Sequence, residues 1–452
     1  MVVGSYFGVA GDRGPYHLIW AVGRAISTGI RAILKKEEHM HSLLHDKRLH
    51  HLFDVLVILV VILLVFEVGI RLLGTTNQDG EFHLFGYRLK PYAIPIETAK
   101  IKGFEYLAAN NPYIEYAPVR GWKIAANRVG SNGLVRSNSQ GFRALKDYDE
   151  FPEQGILRIA MFGDSFVHGD DVHDTATWAH QTQLALAGVA NNEVLNFGVP
   201  GYSIGQAFLA YQLLGVQFHP DIVVIGFHPE NCYRNVNIYR GFYVQNTSLP
   251  FFKPRHILDG NGSLQLINTP TPAPNQIAKV LEDFEEFEFA KFGYFYDPAD
   301  YEKTFLREVR AFALFEALWE IIHRNISNEA EQFFDPAGET GNLCYAIIKE
   351  FEREALRNGS NVYIVHIPYE QYLRKAASGG APPHQKLLDK IITSQSKVID
   401  WQPILLQEAK RTSIDELYIP HFSAATSLLV ANHVSACIAA DLNENIPWVG
   451  AC

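Results

Sequence analysis

The chain has 452 residues, of which 48% are hydrophobic and 19% charged, and a formal net charge of -10. That composition belongs to a globular chain long enough for a sizeable core, so bulk disorder is excluded. A net acidic chain without a basic stripe is not built to hold phosphate backbones, and no nucleic-acid partner is expected.

Residues 1–51 read as a leader that stays in the cytoplasm. Within it Ile19, Val22, Ile26, Ile30 and Leu34 recur at helical spacing, which fits either an amphipathic helix on a membrane surface or a poorly ordered segment. His39, His41, His45, His50 and His51 cluster near its end. No carboxylate or thiolate partner set fixes a coordination geometry for them, so they read as a solvated face beside a membrane and not as a metal site.

Residues 52–73 contain an uninterrupted apolar run from Val55 to Phe66. A spanning helix needs about 20 mostly apolar residues, so a span here takes in Asp54 or Glu67 near an interface. The run has no polar face, as a surface helix would, and Arg71 can snorkel beside Glu67. A buried soluble helix is the alternative. Arg13, Arg24, Arg31, Lys35, Lys36, Lys47 and Arg48 precede the run, whereas Arg71 is the one basic residue between it and Arg88, leaving His83 aside. This asymmetry keeps the amino end inside and places the rest outside the cytoplasm, in the periplasm if the cell is Gram-negative and at the cell exterior otherwise. A cleaved signal peptide fits less well, because Leu73-Gly74-Thr75-Thr76 lacks a small-x-small site.

Residues 74–150 are rich in Tyr, Pro, Gly and Asn, including Asn110-Asn111-Pro112-Tyr113, and read as irregular connections with a few short strands that pack on the following domain. From Leu157 strands and helices alternate. Strands are expected at 157–162, 194–197 and 222–227, with helices at 177–187 and 204–214 closed by Gly188 and Gly215. The pattern resumes with a helix at 343–356, strands at 362–366 and 398–399, and a last helix at 424–439. Single helices between strands imply an α/β domain, residues 151–445, with a parallel sheet covered on both faces. Residues 233–340 interrupt it as an insertion, which suits either a lid or a packing appendage.

The most informative phrase is Ile159-Ala160-Met161-Phe162-Gly163-Asp164-Ser165-Phe166. An apolar strand breaks at glycine and delivers a serine to the turn at its carboxyl end, where open α/β sheets form their ligand crevice. Three further segments follow in order: Asn196-Phe197-Gly198-Val199-Pro200-Gly201, then His228-Pro229-Glu230-Asn231 after the third strand, then Pro420-His421-Phe422-Ser423 before the last helix. Together these blocks resemble the SGNH (GDSL-type) hydrolases over roughly residues 138–231 and 343–440. The phrase Asn138-Ser139-Gln140-Gly141-Phe142-Arg143 is similar to one that precedes the Gly-Asp-Ser strand in the membrane-anchored bacterial subgroup.

The resemblance implies a flavodoxin-like three-layer α/β sandwich carrying an N-terminal transmembrane helix. It also implies a serine mechanism. A serine hydroxyl needs a base to take its proton, and His421 stands where the last block places that base. Ser165 would then attack an ester carbonyl. The resemblance assigns the oxyanion to the backbone N–H groups of Ser165 and Gly201 and to the amide of Asn231. Gly201 has no Cβ to obstruct the substrate, and the Asn231 NH₂ is a neutral donor. Asp164 would brace the nucleophile loop. His168, His173, His180 and His433 are read as surface or packing residues.

One departure stands out. The family places an aspartate three residues before the histidine, and this chain has Tyr418 there. Asp415 is the nearest acid and the candidate third member; otherwise a backbone carbonyl or the Tyr418 hydroxyl orients the ring of a Ser-His dyad. Neither metal nor organic cofactor is implied. The expected substrate is a small acyl ester, and the resemblance to the anchored subgroup implies acetyl on a carbohydrate. Water or a sugar hydroxyl can resolve the acyl-enzyme, giving an esterase or an acyltransferase, and a weakly catalytic glycan-binding component or a lipase are further readings. Cys232, Cys344, Cys437 and Cys452 allow three pairings, and Cys232 also fits a small buried apolar residue.

Overall fold

The computed structural model describes residues 47–109, 112–245, 247–443 and 452. The expectations for the leader, including its amphipathic spacing and His39, His41 and His45, and the Asn110-Asn111 pair lie outside those residues. The chain divides into two units after Leu73.

In the first unit helix α1 runs over Lys47–Leu73, 27 residues. At about 1.5 Å per residue this is some 40 Å, longer than the roughly 30 Å hydrocarbon core of a bilayer. Its His50–Leu73 portion is apolar enough to cross a membrane and leaves nearly all of its side chains uncovered by protein. Arg71 reaches back one turn to Glu67 at 2.6 Å, so the charge that ends the apolar run is paired.

The second unit is built on strands β1 (Leu157–Gly163), β2 (Asn192–Gly198), β3 (Ile222–Phe227), β4 (Asn361–His366) and β5 (Lys397–Asp400). They form one parallel sheet in the order β5-β4-β3-β1-β2. Each expected strand is present and each runs one or two residues further at one end or both, except β3, whose bounds coincide. The strands are apolar on both sides because both sides are covered. Along β1, Ile159 and Met161 enter one core with Val194, Val224, Tyr363 and Ile399, while Ala160 and Phe162 enter the other with Leu195, Val223, Ile225 and Ile364.

After β1 come the short helix α2 (Ser165–His168) and helix α3 (Trp178–Leu186), and helix α4 (Ile204–Leu213) follows β2. Helix α5 (Glu230–Asn235) follows β3, helix α6 (Arg310–Ser327) lies in the insertion, helix α7 (Glu339–Arg357) precedes β4, and helix α8 (Ala424–Leu442) ends the fold. Helices α3 and α8 cover one face through Trp178, Leu186, Val430, Val434 and Ile438. Helices α4 and α7 cover the other through Ala207, Phe208, Tyr211, Ile347 and Phe351. The result is a three-layer α/β sandwich. Local sequence agrees with it: Ser203 and Gln206 close a capping box on α4, and Ser423 caps α8.

One departure concerns a flanking segment. Residues 74–150 hold, besides short antiparallel strands, a 13-residue helix, Ile96–Ala108. Its Glu, Ala, Lys and Leu residues favour helix, a local preference that the turn-rich surroundings obscure. The segment packs on the sandwich through Trp122, Ile124 and Phe142, which join the α4/α7 core. The insertion does the same through Phe251, Phe252, Phe284, Tyr296 and Phe334. Most of it is thus a packing appendage.

Its root is closed covalently. Cys232 and Cys344 flank the insertion and are joined, their Cα atoms 5.4 Å apart. Cys437 of α8 is joined to Cys452. The reading of Cys232 as merely a small buried residue is therefore replaced by a bridge.

Candidate functional site

The site forms at the carboxyl ends of β1, β2 and β3. In this strand order the chain leaves β1 toward β2 on one side and continues at β3 on the other, so the crevice sits at a topological switch point. Val167 of α2 settles between the ends of β1 and β3 because both strands offer a glycine there. A Cβ on Gly163 or on Gly226 would lie 2.4 Å from Val167 Cγ2. The turn after β1 is thereby drawn down onto the sheet with Ser165 at the head of α2.

Asp164 is the N-cap of α2 and accepts from the Phe166 N–H at 3.0 Å. Its other oxygen accepts from Asn231 Nδ2 and from Arg234 Nη1, both at 2.9 Å. Burial alone would raise this carboxyl. His228, Arg234 and the Phe166 N–H outweigh burial and hold it well below the usual carboxylate range. Asp164 is thus a fixed anion that braces the loop carrying Ser165.

Ser165 Oγ lies 2.8 Å from His421 Nε2. His421 precedes α8 and is brought 256 residues back along the chain to the serine. On its other side Nδ1 lies 2.6 Å from Asp171 Oδ2, and the His421 backbone N–H donates to the same oxygen at 3.0 Å. A carboxylate already accepting one N–H fixes Nδ1 as the second donor and leaves Nε2 as the acceptor facing the serine. The edge of the ring packs against Phe166, with centroids 4.8 Å apart.

The acid at the histidine is therefore Asp171, and Asp415 is not brought to it. Asp415 sits on the short helix Ile414–Leu417, four-fifths exposed, and pairs with Arg374. Tyr418 does not orient the ring either: its hydroxyl donates to the Pro368 carbonyl at 3.0 Å. Asp171 reaches His421 because the chain turns after α2 and runs back along it, a path that spacing relative to His421 does not disclose.

That return is held by Arg143, the last residue of the Asn138–Arg143 phrase. Its buried guanidinium donates to the carbonyls of His168 at 2.7 Å, Gly169 at 2.5 Å, Val172 at 2.7 Å and Leu134 at 3.3 Å. Its Nε donates to Asp174 at 2.9 Å. All five of its N–H groups are engaged, and three of the bonds grip carbonyls on either side of Asp171.

Gly201 follows β2 with φ +76°, and a Cβ there would come 3.1 Å from the Arg240 guanidinium, so the position suits glycine on both counts. Asn231 is buried on α5. Its Oδ1 accepts from the His228 N–H at 3.0 Å, and its Nδ2 donates to Asp164 and, at 3.1 Å, to the Tyr202 carbonyl. Both amide hydrogens thus have acceptors in the resting site. Arg234, one turn along α5, donates to the same two acceptors, reaching Tyr202 O at 3.0 Å. Asp171 and Arg234 are residues that motif order did not single out, and Arg143, though part of a quoted phrase, had no role assigned to it. His168 is a packing residue, its ring nitrogens against Asp170 at 2.5 Å and the Tyr113 hydroxyl at 2.8 Å.

Beside α5 lies a cleft of about 570 Å³ whose walls include Tyr233, Tyr243, Tyr294, Phe295 and Phe333, with Arg88, Asp297 and Arg324 among its polar groups. It connects to the loop that carries Ser165 through hydrogen bonds and ion pairs. Tyr243 donates to Glu230 at 2.9 Å, Glu230 pairs with Arg234 at 2.9 Å, and Arg234 holds Asp164.

No family model matches the sequence, and no curated protein matches it. Solved structures with a related arrangement include a lipolytic protein assigned to the G-D-S-L family from Desulfitobacterium hafniense, 11% identical, covering 62% of this chain and 99% of its own, with a TM-score of 0.31. The acetyl xylan esterase AlAXEase is 10% identical over 62% of this chain and 100% of its own, with a TM-score of 0.34. A variant of Axe2, an acetylxylan esterase from Geobacillus stearothermophilus, is 11% identical over 65% and 96%, with a TM-score of 0.31.

Proposed function

We propose that this chain is a serine esterase of the SGNH type that acts on small acyl esters, acetyl esters of carbohydrate above all, through an acyl-serine intermediate. The observation that carries this reading is the unbroken series Ser165 Oγ, His421, Asp171, with bonds of 2.8 and 2.6 Å. In the first half-reaction the Ser165 hydroxyl adds to the ester carbonyl and its proton passes to His421 Nε2. Asp171 stabilises the imidazolium so formed. The tetrahedral intermediate collapses, the leaving alcohol takes the proton from Nε2, and the acyl group stays on Oγ. Water, deprotonated by the same nitrogen, then releases the acid.

The developing oxyanion is assigned to three donors: the Ser165 N–H, which a helix leaves unpaired at its first residue, the Gly201 N–H, and Asn231 Nδ2. Because Arg234 serves both acceptors of the Asn231 amide, one amide hydrogen can turn to the oxyanion without leaving Asp164 or the Tyr202 carbonyl unpaired. Such donors act on charge that exists only in the transition state.

The carbohydrate assignment is supported by the aromatic and polar walls of the cleft beside α5. Flat rings with scattered hydrogen-bonding groups suit the alternating C–H faces and hydroxyls of sugars better than acyl chains. A second outcome uses the same residues: transfer of the acyl group to a sugar hydroxyl in place of water. An extracytoplasmic position, with α1 crossing the inner membrane and its amino end inside, is supported by the basic flank before α1 and by the two disulfides, which form and persist in oxidising compartments.

The test is release of p-nitrophenol from p-nitrophenyl acetate by the full chain in lipid nanodiscs. Wild type is expected to turn over, and Ser165→Ala and His421→Ala each to lower kcat by on the order of 10⁴ to 10⁶. Equal rates in all three folded proteins would overturn the reading.

A further inference from the structure

Helix α6 is amphipathic in the reverse of the usual sense. Its acidic residues face the protein: Glu316 lies 2.9 Å from Arg307 and 3.8 Å from Lys90, and Glu320 also pairs with Lys90. Most of its large apolar residues face outward, while Ala311 and Ala313 are buried. Phe312, Phe315, Leu318, Trp319 and Ile322 are all exposed, Phe315 and Trp319 by more than 60%, and positions 312, 315, 319 and 322 fall on one stripe. A soluble surface helix is arranged the other way round. Aromatic side chains of this size in one contiguous stripe mark a surface that something apolar covers.

The chain itself indicates what covers it. Helix α6 is docked on the small antiparallel sheet of Gly74–Thr76, Phe82–Leu84 and Tyr87–Leu89: Arg310 lies over the Phe82 ring at 4.7 Å and donates to the Lys90 carbonyl at 3.4 Å. The first residue of that sheet, Gly74, is bonded to Leu73, the last residue of α1. Gly74 pairs with Leu84, and Leu84 with Tyr87, so Gly74 and Tyr87 are about 10 Å apart at ordinary strand spacing. At this end of the sheet Phe85 and Tyr87 are 75% and 72% exposed, aromatic residues of the kind that anchor at a bilayer interface.

We propose that the outer face of α6, together with Phe85 and Tyr87, lies in the headgroup and upper acyl region of the bilayer that α1 crosses. Helix α6 is thus a second, in-plane membrane contact of the insertion. The inference rests on the reading of α1 as a membrane span. Its consequence is that the insertion itself adds apolar contact with lipid. The glutamates of α6 are paired inward, so the contact depends on apolar burial and is insensitive to salt.

The test uses the four cysteines, all of which are bonded in pairs, so that an introduced cysteine is the single labelling site. Phe315→Cys and Trp319→Cys, both exposed positions, are labelled with bimane in the full chain, one copy per phosphatidylcholine nanodisc. Leu63→Cys in α1 and Leu184→Cys on α3 serve as references. The expected result is several-fold stronger quenching of positions 315 and 319 by lipid-borne nitroxide than of position 184, little quenching by iodide, and no change at high salt. Iodide quenching at 315 and 319 while position 63 stays lipid-quenched overturns the proposal and leaves the span intact. Protection of both from either quencher shows protein covering the face and also overturns it. Absence of lipid quenching at position 63 removes the span reading, and the proposal with it.

Discussion

Asp171 holds His421 twice through one oxygen: Oδ2 accepts the ring N–H at 2.6 Å and the backbone N–H at 3.0 Å. The second bond fixes the start of the α8 segment as well as the ring, so loss of the carboxylate charge disturbs both the tautomer and the placement of the base. Asp171→Asn is expected to lower kcat for p-nitrophenyl acetate by on the order of 10³ to 10⁴, with a smaller change in KM. Asp415→Asn, which disturbs an exposed pair with Arg374, is expected to leave kcat unchanged. Equal losses in the two variants would return Asp415 to the site.

How far the site was legible follows from where each residue stands. Ser165 and His421 each sit beside a strongly patterned element, β1 and α8, and pattern together with block order singles them out. Asp171 stands in a loop after a four-residue helix, α2, which has too few residues for periodicity. Its partner is distant in sequence, whereas the acid nearest His421 along the chain is Asp415. The acidic pair Asp170-Asp171 directly after Gly169 was the available signal, since a glycine turn can send the following residues back along the helix that bears the serine. The five strands were legible because a sheet covered on both faces makes each strand a short apolar run. The pairing of Cys232 with Cys344 was not, because loop closure over 112 residues leaves no local trace.

Arg143 is expected to act as a positioning residue for the loop that carries Asp171. Lysine keeps the charge but not the planar fork that serves five acceptors. Arg143→Lys should lower kcat by on the order of 10 to 100-fold with little effect on KM, since small misplacements of a catalytic group carry costs of this size. Steady-state kinetics at saturating and limiting substrate separates the two parameters. A change confined to KM would mean that the loop stays in place without the fork.

The bridge at the root of the insertion should contribute to stability through the unfolded chain. Closing a loop of 112 residues reduces unfolded-state entropy by an amount worth about 4 to 5 kcal/mol in the chain-entropy account. The double variant Cys232→Ser, Cys344→Ser should lower the denaturant midpoint accordingly while retaining the fold. An unchanged midpoint would show that the insertion is held by its aromatic core alone.

His256 provides a pH-dependent term. Burial, assisted by the neighbouring Lys253 charge, pushes its imidazole down from 6.5 to about 4. Above pH 6.5 the ring is neutral in folded and unfolded chains alike, and this term is fully satisfied. As pH falls from 6.5 toward 4 the unfolded chain takes up a proton that the folded chain does not, so stability falls, by about 3 kcal/mol across the window. His256→Phe keeps the stacking on Phe208 seen at 6.1 Å and removes the proton uptake. Its stability should fall less steeply than that of wild type between pH 6.5 and 4, as measured by denaturant titration at each pH. Parallel slopes would contradict the assignment.

The most direct test of the account is to trap the intermediate. The full chain in nanodiscs is mixed with p-nitrophenyl acetate, quenched in acid within one turnover, digested, and the peptide containing Ser165 weighed. An acetyl group on Ser165 in wild type, absent from His421→Ala and formed far more slowly in Asp171→Asn, is the predicted result. Turnover without acetyl on Ser165, or acetyl on Ser165 formed at the same rate in all three proteins, would contradict a mechanism in which His421 and Asp171 activate that serine.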